Sequence, residues 1–138
     1  GKGMAAAFAL GAEAVQMGTR FVSCAESPVH QNYKQAIVDA KETGTYVLNK
    51  KSTPCIRALK TERTASIHEE GLMPPDTFAR ILDLYFGGDM EAAVGLAGET
   101  AGLITEVKTA KDIIDGTIAE FFEITSRMGS LAEARNFG

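Results

Sequence analysis

The stretch Gly11-Ala12-Glu13-Ala14-Val15-Gln16-Met17-Gly18-Thr19-Arg20-Phe21 constrains this chain more than any other. An alanine-rich segment, Lys2 to Leu10, runs into Gly11, a natural position for the left-handed residue that closes a helix. A short apolar run, Ala14-Val15-Gln16-Met17, follows, and then Gly18-Thr19. Helix, tight turn, buried parallel strand and a glycine at the strand's carboxyl end is the order of an α/β repeat. A parallel strand is therefore expected over residues 14–17. In such folds ligands gather at the carboxyl ends of strands, and (β/α)8 barrels often hold a phosphate in the loops after their last two strands. Gly18 would let the backbone approach an anion, and the Thr19 N–H and hydroxyl could donate to it. The alternative is an ordinary αβ turn that needs Gly18 only for a positive φ.

Composition narrows the partners. Apolar residues make up 45% and charged residues 23%, the proportions of a globular domain. A net charge of −4 gives no electrostatic reason to expect nucleic acid or an anionic membrane as a partner. No apolar run approaches the ~20 residues that span a bilayer. Cys24 and Cys55 are far apart and form no CxxC, so reduced thiols in a cytoplasmic protein are the expectation. Metal-ligand spacing is absent, and no metal site is expected.

Further along, Tyr33, Ile37 and Ala40 recur at helical spacing and predict a helix from about Gln31 to Lys41, closed by Gly44. Thr45 to Leu48 is β-rich, and Pro54 to Arg57 reads as a second extended piece, with residues 49–53 as the turn. A polar helix is expected from Arg57 to Glu70, ended by Gly71. Pro74-Pro75-Asp76 should open another, with Phe78, Ile81, Leu82 and Tyr85 on its apolar face. Asp89 should cap a helix of small residues, Ala92 to Gly102, interrupted near Gly98 because each interior glycine costs about 1 kcal/mol. Thr109, with Asp112 as its partner, should cap a long helix whose apolar face is Ile113, Ile114, Ile118, Phe121, Phe122 and Met128. Fraying is expected from Gly129 on.

Four segments carry a resemblance. They are Gly1 to Phe21, His30-Gln31-Asn32-Tyr33-Lys34, Pro54-Cys55-Ile56-Arg57-Ala58-Leu59-Lys60 and Ala97-Gly98-Glu99-Thr100-Ala101-Gly102-Leu103-Ile104. In this order they resemble the C-terminal end of the nitronate monooxygenase (2-nitropropane dioxygenase) family, which also contains FMN-dependent enoyl-acyl-carrier-protein reductases. The family pattern is Gly-Arg/Lys-Gly, an alanine-rich helix, Leu-Gly-Ala, a strand, and Gln-Met/Ile-Gly-Thr-Arg-Phe. Related barrels such as IMP dehydrogenase fit less well, because they lack that last run.

The resemblance implies an α/β protein, the C-terminal part of a (β/α)8 TIM barrel followed by a mainly helical region. Residues 1–43 would be the last helix–strand–helix portion of the FMN-binding barrel, and residues 44–138 a connector and C-terminal helical region. A whole barrel takes about 250 residues, and this chain has 138. A C-terminal fragment is the expectation, with the family's catalytic histidine upstream of Gly1. Such a piece cannot close a barrel, so alone it should hold flavin weakly and leave strand edges exposed. The implied cofactor is FMN, its phosphate held by Gly18 and Thr19, with Met17 supplying an N–H and Gln16 at the edge.

The implied reaction is oxidation of an alkyl nitronate with dioxygen. NAD(P)H-dependent reduction of an enoyl thioester is the alternative within the family, and a non-catalytic helical module with a vestigial phosphate loop is the alternative outside it. Lys50, Lys51, Arg57, Lys60 and Arg63 form the one basic cluster, offset by Glu62, Glu69 and Glu70. An acidic carrier protein would want a clearer positive surface, which favours a small free substrate. His30 is expected to cap a helix or face solvent, His68 to lie on the surface, and Lys50-Lys51 to form a solvated turn. Arg20 could reach an anion or pair with a carboxylate at the barrel rim. Glu99 departs from the family's glutamine and puts an anion near a flavin-facing loop.

Overall fold

The computed structural model describes residues 1–133. The chain divides into two compact units, Gly18–Lys108 and Gly1–Met17 with the chain from Thr109 onward. The expected boundary after residue 43 falls inside the first of these.

In the unit formed by the two ends of the chain, helix α1 spans Lys2–Ala9 and helix α6 spans Ala110–Glu133. Gly11 adopts φ +98°, and the Gly11 and Ala12 N–H groups donate back to the Phe8 and Ala7 carbonyls, which closes α1 as expected. Thr109 caps α6: its hydroxyl donates to Asp112 Oδ2 at 2.6 Å and accepts from the Asp112 N–H at 3.0 Å. Phe8 and Phe121 meet edge to face at 5.2 Å, and the Gly1 amino group pairs with Glu120 at 2.8 Å. Ile113 is buried, but Ile114, Ile118, Phe122 and Met128 stay exposed, so α6 covers only part of its apolar face. The helix continues through Gly129 to Glu133, where fraying was expected; the rest of that expectation lies outside the described residues.

Residues 14–17 are not a strand, and all four are exposed. A parallel strand is made by its neighbours, and among the described residues no segment pairs with this one.

The unit Gly18–Lys108 contains α2 (Thr19–Val22), α3 (Gln31–Val38), β1 (Thr45–Leu48), β2 (Ile56–Leu59), α4 (Glu62–Glu70) and α5 (Ile81–Tyr85), then a 3-10 turn over Glu99–Leu103. The two strands pair antiparallel, Thr45 opposite Leu59 and Leu48 opposite Ile56. Because Arg57–Leu59 extend as β2, α4 starts only at Glu62, where Thr61 and Thr64 form a reciprocal cap, and Gly71 closes it at φ +77°. The expected helix after Pro74 is reduced to α5. Residues 74–80 fold instead into successive turns, with i+3 bonds such as Ala79 N–H to Asp76 O and Ile81 N–H to Phe78 O. Phe78 and Leu82 are exposed, and Leu84 is the side chain fully buried.

The small-residue segment after Asp89 is not helical either. It lies extended beside β2: the Leu59 N–H donates to Gly95 O at 2.9 Å, and the Ala97 N–H to Arg57 O at 3.2 Å. Interior glycines disfavour helix, and alanine side chains let a backbone enter the core. Ala92, Ala93 and Val94 are accordingly buried. The expected loop at Gly98 is present. The main core gathers Tyr33 and Ile37 of α3, Leu59 of β2, Leu84 of α5, and Ala92, Ala97, Ala101 and Ile104.

Candidate functional site

Gly18 precedes α2 with φ −95° and ψ −74°, ordinary right-handed backbone that any residue adopts. The positive-φ explanation for this glycine therefore fails. Crowding does not explain it either, since a Cβ built there meets nothing within 4 Å. The N–H groups of Gly18, Thr19 and Arg20 make no hydrogen bond among the described residues, being the orphan donors of a helix start. The Thr19 hydroxyl oxygen accepts from the Gly98 N–H at 2.8 Å. Its own proton remains free to donate.

Gly18 and Thr19 line a cleft of about 490 Å³. Val22 and Val29 form one side, and Leu96, Ala97 and Gly98 of the extended segment another. Tyr33 and Tyr85 stack within it, their ring centres 5.4 Å apart and their planes within 11°. The Tyr33 hydroxyl donates to Leu96 O at 2.6 Å. Burial, reinforced by the neighbouring Tyr85, pushes the Tyr33 phenol above its ordinary value of 10.0, and burial also raises Tyr85. Both therefore stay protonated at neutral pH. Arg57 enters from β2. Its Nη1 donates to Thr45 Oγ1 at 3.0 Å, and its Nη2 lies 3.6 Å from Glu99 Oε1.

The other candidates fall as follows. Gln16 and Met17 are exposed at the end of the other unit and form no hydrogen bond among the described residues. Arg20 Nη1 donates to the main-chain carbonyl of Glu106 at 2.7 Å, and among the described residues no carboxylate forms an ion pair with it. His30 caps α3 as expected, its Nδ1 accepting from the Asn32 N–H at 3.1 Å. His68 is not a free surface residue. It is half-buried, stacks on Tyr46 at 4.3 Å, and places Nδ1 2.9 Å from Val47 O. Lys50 Nζ lies 3.1 Å from its other ring nitrogen, and Lys51 Nζ donates to Glu70 O at 2.7 Å, so this pair is tied to the fold. Tyr33, Arg57, Tyr85 and Leu96 were not foreseen as site residues. The helical spacing of Tyr33 marks it as core, and nothing local in the sequence joins Arg57 to Glu99. Among the described residues no group of side chains is arranged to hold a metal, and no helix is long and apolar enough to cross a membrane.

The family model described as nitronate monooxygenase matches residues 1–120. A probable nitronate monooxygenase of Staphylococcus saprophyticus subsp. saprophyticus is 41% identical over 76 residues, covering 55% of this chain and 21% of that protein. A nitronate monooxygenase of Paraburkholderia phytofirmans is 32% identical over 99 residues, covering 72% of this chain and 26% of that protein. The solved structure of FabK from Thermotoga maritima superimposes with a TM-score of 0.87 at 40% identity, covering 95% of this chain and 44% of that one. The chain thus spans less than half the length of each of these relatives.

Proposed function

The chain belongs to the nitronate monooxygenase family, and from that premise we propose that it is part of an FMN-dependent oxidoreductase that oxidises alkyl nitronates with dioxygen. One observation carries the reading. Three N–H groups that make no hydrogen bond among the described residues, those of Gly18, Thr19 and Arg20, begin at a glycine that neither torsion nor crowding requires. Backbone donors that need no proton of their own suit a phosphate dianion. The Thr19 hydroxyl adds a donor, and Met17 and Gln16 complete the assignment by an N–H and by closing the edge. In this reading residues 14–17 become a barrel strand once neighbouring strands flank them. The protein is cytoplasmic.

When bound, the flavin supplies the electron transfer between nitronate and dioxygen. The residues of this chain bind and orient. Gly18 and Thr19 fix the phosphate, and Thr19 also holds Gly98 through its hydroxyl oxygen. Tyr33 anchors the Leu96 carbonyl. No residue of this chain is assigned as the catalytic base.

A small free substrate is favoured over an acidic carrier-bound thioester because Glu62, Glu69 and Glu70 offset the cluster of Lys50, Lys51, Arg57, Lys60 and Arg63. Lys50 is at His68, Lys51 at Glu70 O, and Lys60 lies 4.6 Å over the Tyr46 ring. The test uses the native gene product. Oxygen uptake with propionate 3-nitronate, needing no NADH, is expected. NADH consumption with a crotonyl thioester and no nitronate turnover would put the reductase reading in its place. Failure to bind flavin at all would leave the non-catalytic module.

A further inference from the structure

We propose that Arg57 receives the anionic head of the cleft's ligand, and that Glu99 is a built-in competitor occupying the guanidinium until that ligand arrives. The inference rests on the reading above that the substrate is a small organic anion, and it adds that this anion enters the cleft. It names the residue that recognises the charge.

Among the described residues Arg57 is the one charged side chain that lines the cleft. Apart from Thr19, a neutral hydroxyl, the rest of the wall is apolar, aromatic or glycine, and the Tyr33 hydroxyl is already spent on Leu96 O. A ligand with an apolar body and a negative end therefore has one cation to meet. The guanidinium is oriented for it. Nη1 is fixed by Thr45 across the sheet at 3.0 Å, while Nη2 faces Glu99 at 3.6 Å, longer than a hydrogen bond. The Arg57 side chain is 30% exposed and that of Glu99 75%. An exposed, long ion pair is weakly held, so Glu99 can leave without disturbing the fold. A planar head with two oxygens, as in a nitronate or a carboxylate, matches the fork of a guanidinium far better than a point charge would.

Butyrate, which does not react, is the probe, and neutral butyramide is its control. Both are titrated into the FMN-loaded native gene product, with the Arg57 side-chain nitrogen resonance and the flavin absorbance as readouts. In Glu99→Gln, butyrate should bind about 1.5- to 5-fold more tightly, the amount an exposed ion pair gives up, and butyramide should be unchanged. In Arg57→Gln, butyrate should weaken about tenfold or more, as expected when a charge-assisted bond is lost, with flavin content unaltered. Equal butyrate affinity in wild type and Glu99→Gln would overturn the proposal, and this variant removes nothing the fold depends on. Loss of flavin from a folded Arg57→Gln protein would also overturn it, by making Arg57 a phosphate ligand. If no flavin binds but butyrate still shifts the Arg57 resonance, and more tightly in Glu99→Gln, the anion site stands and the oxidoreductase reading falls.

Discussion

Tyr33 donates its hydroxyl to Leu96 O, stacks on Tyr85, and presses its ring so close to Gly95 that a Cβ there would lie 3.1 Å from it. One side chain thus joins α3, α5 and the extended segment that walls the cleft. Burial favours its neutral form, so the phenol ionises in the folded chain only above its ordinary value of 10.0. The unfolded chain gives up that proton first. The stability Tyr33 contributes is therefore complete below about pH 10 and declines as pH rises from there through its raised folded value. Tyr33→Phe should cost about 0.5–1.5 kcal/mol at pH 7 for the lost hydrogen bond. It should also flatten the alkaline fall in stability. Urea unfolding of both proteins between pH 8 and pH 12 checks this, and parallel pH curves would show that Tyr33 does not drive the decline.

Helix ends are set by a few neighbouring residues, and this decides which elements the sequence displays. Thr61→Ala removes the oxygen that accepts the Thr64 N–H at 3.2 Å. It should destabilise by about 1 kcal/mol with no change in the urea dependence; an unchanged midpoint would mean that the cap contributes nothing. Gly11, His30 and the Thr109–Asp112 pair each act within a turn of the helix they bound, which is why α1, α3 and α6 were legible. The β1–β2 hairpin was legible because two short β-rich runs flank a polar turn. Residues 14–17 carry a strand's pattern, yet a parallel strand needs partners distant in sequence. Residues 92–97 read as helix because Asp89 is a good N-cap, and their small side chains carry no period that would say otherwise. Their place beside β2 is set by Leu59 and Arg57, more than thirty residues upstream. The site divides the same way. Gly18 and Thr19 announce themselves locally, whereas Tyr33, Arg57, Tyr85 and Leu96 come together only through packing.

Among the described residues, both clusters of buried hydrophobic side chains lie within residues 18–108. One centres on Tyr33, Ile37 and Leu84, and the other on Leu48, Ala58, Ile67 and Val94. A polypeptide of residues 18–108 should therefore fold alone, giving a dispersed amide spectrum and a cooperative urea transition. A collapsed spectrum would show that its core depends on the rest of the chain. The cleft with Gly18 and Thr19 on its wall belongs to this unit, and the central claim is that these two residues hold a flavin phosphate. Gly18→Val tests it most directly, because the backbone at Gly18 suits valine and nothing in its own unit crowds a Cβ. FMN affinity is measured on the native gene product and on the variant, alongside their thermal unfolding. The account predicts equal melting temperatures and FMN binding weakened about tenfold or more, the loss of at least one charge-assisted bond. A valine variant that melts the same and holds FMN as tightly as the wild type would contradict it.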